Sequence, residues 1–340
     1  MLTLLTLKYI IVIIFMIVPQ GLPLVAHSAG FYFMKNYNKP ALSINEQISL
    51  LQSRGLIING KNYAKFVLEK LNYYNFSGYA YIFENKSDKR THNFLDNTAF
   101  EEIFEIFKYD VQIRQLLFSC ISYIEIYMRN IITRNFLYAY NNDAFANYNI
   151  KNYCKINIEI EKEVKRSKEI FINHYEKEYS NYPNIPIWIS VEIMSLGTLS
   201  KFYSSSEKRL QILITKNMNL HHYKYLKSWL FAITEIRNRA VHHSRILCRK
   251  LLNPPTIPKN IKLNSNYDWN LLSNSYLFNF IVTLEYIVKS ADIYIEFTLP
   301  IIQNLYNIIK NILNNEMLKN KQLIDDIGII DCWQGNLFFS

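Results

Sequence analysis

"FEEIFEIFKYDVQIRQLLFSCISYIEIYMRNIITRNFLYAY", residues 100–140, contains neither glycine nor proline, and apolar side chains recur in it every three or four positions. That period belongs to an amphipathic helix and not to a strand, whose side chains alternate every two. Glu101 and Glu102 stand near the start, where negative charge complements the helix dipole. The length of the run predicts two helices parting near Tyr109 and Asp110. In the second part Glu125, Arg129 and Thr133 share one face at i, i+4 and i+8, which reads as an intrahelical ion pair on a solvated surface.

The same helical reading extends in both directions. Upstream, Ser43 with Glu46 three residues on forms a capping box before Ile44, Ile48 and Leu51, and Gly55 supplies a stop. A second helix is predicted over 61–74, broken at Gly78, and the polar stretch 85–97 reads as a loop holding His92. Downstream, the Lys, Glu and Ile alternation of 151–179 predicts one solvated amphipathic helix with His174 on its surface. Pro183 and Pro186 then start a helix at "IWISVEIM", with Gly197 as its break and Trp188 and Met194 as core. A further helix is predicted from near His222 through "YLKSWLFAITEIRNRAVHHSRIL", blocked by Pro254 and Pro255. Apolar helices at 271–296 and 299–318 complete the chain.

Composition agrees with an all-α fold. The 340 residues include only 8 glycines and 9 prolines, few for the many turns of an all-β protein. Half the residues are hydrophobic and 19% are charged, as in globular chains and unlike disordered ones. No internal repeat, glycine-rich phosphate loop or strand–turn–helix nucleotide motif is present. Cys120, Cys154, Cys248 and Cys332 lie far apart with no CxxC pair, so neither a disulfide framework nor a zinc site is expected. No metal and no cofactor are expected. The spacing of the cysteines suits a reducing compartment.

Residues 1–33 stand apart. "MLTLLTLKYIIVIIFMIVPQGLPLVAHSAG" carries one Lys, an apolar run from Tyr9 to Val18 and small residues at Ala26, Ser28 and Ala29. Three readings stay open: a signal sequence or anchor, a buried helix, or a stretch upstream of a true start at Met34. The run is short for a membrane span, which needs about 20 apolar residues. The expected organisation is therefore an apolar leader (1–33), an N-terminal helical segment (34–90), a core (91–258) and a C-terminal helical segment (259–340).

The chemistry concentrates in "EIRNRAVHHSRIL", residues 235–247, which holds two of the chain's seven histidines among three arginines. Metal-free RNA cleavage needs a base for the 2′-hydroxyl, an acid for the leaving 5′-oxygen and positive charge for the phosphorane. Histidine titrates near neutrality and serves the first two roles; arginine grips phosphate oxygens and stays charged. Arg237 and His242 are the candidates. Asn238, His242 and Arg245 share a helix face, so the amide could orient the imidazole, but Arg237 lies about 140° from His242 on an ideal helix. Either the helix loosens there or a second copy supplies the missing half. The plain alternative makes Arg237 and Arg239 surface charges and His242 a helix-end cap. The net charge of +10 and pI of about 9.2 suit a polyanionic partner, though an AT-rich genome also writes such a lysine excess.

Three ordered blocks carry a family resemblance: "KPALSINEQISLLQSRGLII" followed by "LNYYNFSGYAYIF", "PIWISVEIMSLGTLSKFYSS" at 186–205, and "WLFAITEIRNRAVHHSRIL" at 229–247. A weaker echo is "IGIIDCW", giving coverage from about 39 to 333. The chain resembles the Abi-like abortive-infection family of bacteria (the AbiD/AbiF group), a branch of the HEPN superfamily. The resemblance implies a HEPN-like helical bundle with additional N- and C-terminal helices. It also implies a metal-independent endoribonuclease leaving 2′,3′-cyclic phosphate and 5′-hydroxyl ends. The family's Arg–polar–three residues–His motif maps to Arg237, Asn238 and His242; His243 and Arg245 match the family block and are given supporting roles, and Arg129 and Glu125 on the neighbouring helix are taken as supporting residues from their own spacing. Implied partners are an RNA substrate, a second copy in a homodimer, and a restraining RNA or protein antitoxin. The setting is phage defence or a toxin–antitoxin pair in the cytoplasm. Membrane association is not expected, and anchoring or export would follow only if the leader is genuine. The alternative is a non-catalytic RNA- or protein-binding HEPN module. Leu247 and Cys248 depart from the family, where Trp and Asn are expected.

Overall fold

A computed structural model of the chain describes residues 24–27, 30–33, 38–86, 91–220, 222–258, 275–318, 321–329 and 338. The chain divides into two compact units, Met1–Gln47 and Ile48–Ser340. In the first, β1 (Leu24–His27) and β2 (Gly30–Phe33) form an antiparallel hairpin with Leu24 opposite Phe33 and His27 opposite Gly30. No strand was expected there; four residues a side are too few to show an alternating pattern. The apolar run Tyr9–Val18 lies outside the described residues. Among the described residues no helix is long and apolar enough to cross a membrane.

Helix α1 (Ile44–Ser53) spans the division between units. The Ser43–Glu46 capping box forms, with the Ser43 N–H donating to Glu46 Oε2 at 2.7 Å. Gly55 turns the chain at φ +92°. Then follow α2 (Lys61–Lys70) and α3 (Tyr73–Ala80). These replace the single helix expected over 61–74, because Asn72 Oδ1 accepts the Tyr74 N–H at 2.8 Å and restarts the helix. Gly78 lies inside α3 and does not break it.

The segment 100–140 is one helix, α4 (Phe100–Ala139), about 60 Å long at 1.5 Å per residue. Glu102 reaches back to the Ala99 N–H at 2.9 Å to start it. The expected break at Tyr109–Asp110 is absent. Asp110 is fully buried and its carboxylate bonds across the molecule, so it does not compete for its own helix backbone. The buried row of α4 includes Ile106, Ile113, Leu117, Ile121, Ile124, Met128 and Phe136.

The remaining helices of the second unit are α5 (Ala146–Asn149), α6 (Cys154–Arg166), α7 (Ile170–Glu178), α8 (Ile187–Ile193), α9 (Leu196–Ser205), α10 (Lys208–Asn217), α11 (Tyr223–Val241), α12 (Leu277–Ser290), α13 (Ile295–Asn314) and α14 (Lys321–Ile327). Apart from the hairpin, the fold is all-α. Helix α4 is its axis and packs against α3, α8, α10, α11 and α13. Helix α12 is buried around its whole circumference from Leu277 to Val288. Its Glu285 accepts from Tyr306 Oη at 2.9 Å and from the Phe338 N–H at 3.0 Å.

Several boundaries differ from the sequence expectation. The 151–179 stretch is two helices, α6 and α7, parted at Ser167–Glu169. The break before α9 falls at Ser195, whose Oγ accepts the Thr198 N–H, and Gly197 lies inside α9. A side chain at Gly197 would meet Thr234 Cγ2 at 3.6 Å, so this glycine sits where α9 approaches α11. Met194 is core, but Trp188 is 49% exposed.

Candidate functional site

Helix α11 packs against α4 and α9 and buries Leu226, Trp229, Ile233 and Ile236. It was expected to run through Leu247; it ends at Val241. The end is a Schellman turn in which the His243 N–H donates to Ala240 O at 3.2 Å and the Ser244 N–H to Arg239 O at 2.9 Å. The left-handed residue is His243, at φ +53°, where glycine is usual. No glycine marks the stop, so the sequence period runs past it.

The turn places the candidate residues in three groups. The first lies between α11 and α4. Arg237 Nε stands 3.8 Å from Glu125 Oε2, and Arg129 Nη2 donates to Glu125 Oε1 at 2.5 Å and to Met194 O at 2.9 Å. Glu125 and Arg129, expected as an exposed intrahelical pair, are both mostly buried, because α11 and the α8–α9 junction cover that face of α4. One carboxylate thus holds two guanidinium groups and leaves the cluster a net positive charge. Arg129 Nη1 and Arg237 Nε are buried without a hydrogen-bond acceptor among the described residues, as are Arg239 Nη1 and Arg245 Nη1 further along the helix end. Most buried donors are paired, so such groups stand out.

The second group faces solvent. Asn238, His242 and His243 are exposed. Asn238 Oδ1 accepts from Arg237 Nη1 at 3.5 Å, so the amide turns to the guanidinium and not to the imidazole expected from helical spacing. Its backbone carbonyl, not its side chain, meets His242, whose N–H it accepts at 3.0 Å. His242 is the residue capping the helix, at φ −87° and ψ 13°, and its imidazole makes no hydrogen bond to the described residues.

The third group is inside. Arg239, open to the plain reading of a surface charge, is 7% exposed; its Nη2 bonds Glu235 Oε1 at 2.5 Å and Lys250 O at 2.9 Å. Burial lowers its pKa against the attraction of Glu235. Glu235 also accepts the N–H groups of Leu252 and Asn253, at 2.9 and 2.8 Å. Arg245 turns inward, and burial lowers its pKa despite the fields of Cys248, Asp110 and Tyr79.

Asp110 is the residue the sequence reading missed. Its Oδ1 accepts the N–H groups of Ile246 at 2.9 Å and Leu247 at 2.7 Å, and its Oδ2 accepts Tyr79 Oη at 2.8 Å with Arg114 Nε at 3.4 Å. It therefore ties the chain leaving the α11 turn to α3 and the first half of α4. Burial pushes the Asp110 pKa up, against the pull of these donors and Arg114. A lone aspartate inside an apolar helical run was the available signal. Among the described residues no three His, Cys, Asp or Glu side chains are grouped to hold a metal ion.

A helical protein carrying basic and imidazole side chains at one ordered helix end is the class this geometry defines. The family model for Abi-like proteins matches residues 66–247, which include α3 through the turn after α11, and the chain belongs to that family. Membership points to a role of the abortive-infection kind. No curated protein and no solved structure matches the chain.

Proposed function

We propose that this protein is a metal-independent endoribonuclease of the HEPN type, acting in phage defence on RNA in the cytoplasm. The observation that carries the reading is the α11 end: Arg237 is paired with Glu125 beside Arg129, while His242, beyond the next turn, is exposed and its imidazole bonds to none of the described residues. Structural histidines at helix ends engage carbonyls or carboxylates; this one is uncommitted.

In the reaction the 2′-oxygen attacks phosphorus while its proton passes to an imidazole. The P–O5′ bond breaks and the leaving oxygen takes a proton, giving a 2′,3′-cyclic phosphate and a 5′-hydroxyl. His242 supplies one proton transfer. Arg237, with Arg129 behind it, meets the charge on the non-bridging oxygens. Arg237 reaches Glu125 on α4, whereas His242 is exposed beyond the last turn of α11, so a homodimer is the arrangement in which a second copy's imidazole completes the acid–base pair.

The test is cleavage of end-labelled RNA by purified protein in EDTA. The expected result is cyclic-phosphate ends, with Arg237→Ala and His242→Ala each at least about 100-fold slower. Unimpaired cleavage by both variants would overturn the assignment. RNA bound tightly but left intact by the wild type would make the protein a binding module instead.

A further inference from the structure

Beside the α11 turn lies a groove of about 580 Å³ between the end of α2, α3, α4 and the last residues of α11. Its volume falls in the usual range for small-ligand sites. Phe107, Phe118 and Val241 form apolar walls, and the polar side chains of Asn75, Gln115 and His243 stand around them. Phe107 is fixed from behind, stacked on Phe104 at 5.5 Å and edge-on to Tyr79 at 5.4 Å. Phe118 is different. It is 45% exposed and makes no ring contact with a described residue. Asn75 and Gln115 are exposed, and neither side chain bonds to the described residues.

Position adds the argument for an occupant. Phe118 precedes Glu125 by two turns on the same face of α4, about 10 Å along the axis. Val241 in its wall is one helical turn from Arg237, so the groove and the Glu125–Arg129–Arg237 cluster lie along the same seam between α4 and α11, and His243 on its rim adjoins His242 in the chain. Flat apolar walls with free amides suit a planar ring with hydrogen-bonding edges. The neighbouring net positive charge suits the phosphate attached to it.

We propose that this groove receives an unstacked base of a single-stranded RNA whose backbone crosses Arg237 and His242. Phe118 stacks on the base, and Gln115 and Asn75 read its edge; unpaired RNA is commonly recognised in this way. The groove would thus set which nucleotide flanks the cut. The inference rests on RNA as the ligand but not on cleavage.

The experiment uses the full chain carrying His242→Ala, so that bound RNA stays intact, with single-stranded oligoribonucleotides bearing 2-aminopurine at successive positions. Quenching at one position is expected, and adding Phe118→Ala should abolish it and weaken binding about tenfold. Gln115→Ala should change the preference among the four bases. Arg237→Ala should weaken all oligonucleotides alike. Both groove side chains are exposed, so folding should survive, as checked by thermal melting. Unaltered affinity and base preference in both groove variants would overturn the proposal. So would a Phe118→Ala variant that turns a dimer into a monomer in sedimentation while RNA binding holds, since a second copy would then cover the groove. Position-specific quenching without wild-type cleavage would uphold the groove and defeat the nuclease reading.

Discussion

Alanine at position 110 would leave the buried N–H groups of Ile246 and Leu247 and the hydroxyl of Tyr79 without their acceptor, and Arg114 without its counter-charge. An orphaned buried donor costs about 1–3 kcal/mol. Three such donors sum to roughly 3–6 kcal/mol if the lower half of that range applies, because a space the size of a carboxylate can admit water. Losses of this size are rare for single substitutions and would consume a large share of a typical folding free energy. Asparagine should behave differently. Its Oδ1 can keep both backbone donors and its amide can donate to the Tyr79 oxygen, so Asp110→Asn should cost far less. Urea unfolding followed by circular dichroism measures both, with Asp96→Ala as an exposed control expected within about 0.5 kcal/mol of wild type. A loss under about 1 kcal/mol for Asp110→Ala, or equal losses for the two variants, would refute the anchoring role of the carboxylate.

Other consequences follow from the same contacts. Burial raises the Asp110 pKa above its ordinary 3.8, so the folded protein holds this proton more tightly than the unfolded chain. Protonation thus contributes stability that is lost as pH rises from 3.8 through the raised value, and wild type should lose stability relative to Asp110→Asn over that window; a difference curve of the opposite slope would contradict this. His243→Val should destabilise by about 1–2 kcal/mol because a β-branched residue fits the left-handed region poorly, while His243→Gly should cost nothing measurable in the same melts. Glu235→Ala strips Arg239 of its partner and two backbone N–H groups of their acceptor, so a loss of about 2–4 kcal/mol is expected in urea unfolding. Gly328→Ala should lower the melting temperature, since its Cβ would lie 2.7 Å from Tyr276 Cβ at φ +81°, whereas Gly197→Ala should leave it unchanged or raised.

What could be read from the sequence was local. The 3.6 period identified the helical segments, and Ser43, Glu46 and Gly55 gave real boundaries because each acts within four residues of itself. The motif blocks were legible for a similar reason: contiguous residues carry them, and the family match covers the site helix. The unbroken α4 was not legible, because the partners that satisfy Asp110 lie 136 and 137 residues away. The end of α11 was hidden by a histidine in a glycine conformation. The sharing of Glu125 between Arg129 and Arg237 was half visible: the i, i+4 pair follows from spacing, but only the packing of α11 on α4 brings in Arg237. Trp188 failed for the opposite reason, since an apolar residue type does not by itself determine burial.

The contacts around α11 also bear on why buried charges are present at all. Burying Asp110, Arg239 and Glu235 carries a desolvation cost that apolar residues of similar volume would avoid. In each case the side chain bonds to backbone groups of the chain that follows the turn: Ile246 and Leu247 to Asp110, Lys250 to Arg239, Leu252 and Asn253 to Glu235. Apolar contacts could bury that segment but would not fix its register, because they are not directional. Hydrogen bonds to specific backbone N–H and C=O groups do fix it. The exit from α11 is therefore pinned at five residues within eight, while Asn238 and His242 just before it remain exposed. A turn that merely ended a helix would need the Schellman bonds alone. The additional bonds fix the path of residues 246–253 as they return to α3 and α4, which no apolar packing of the same segment would do.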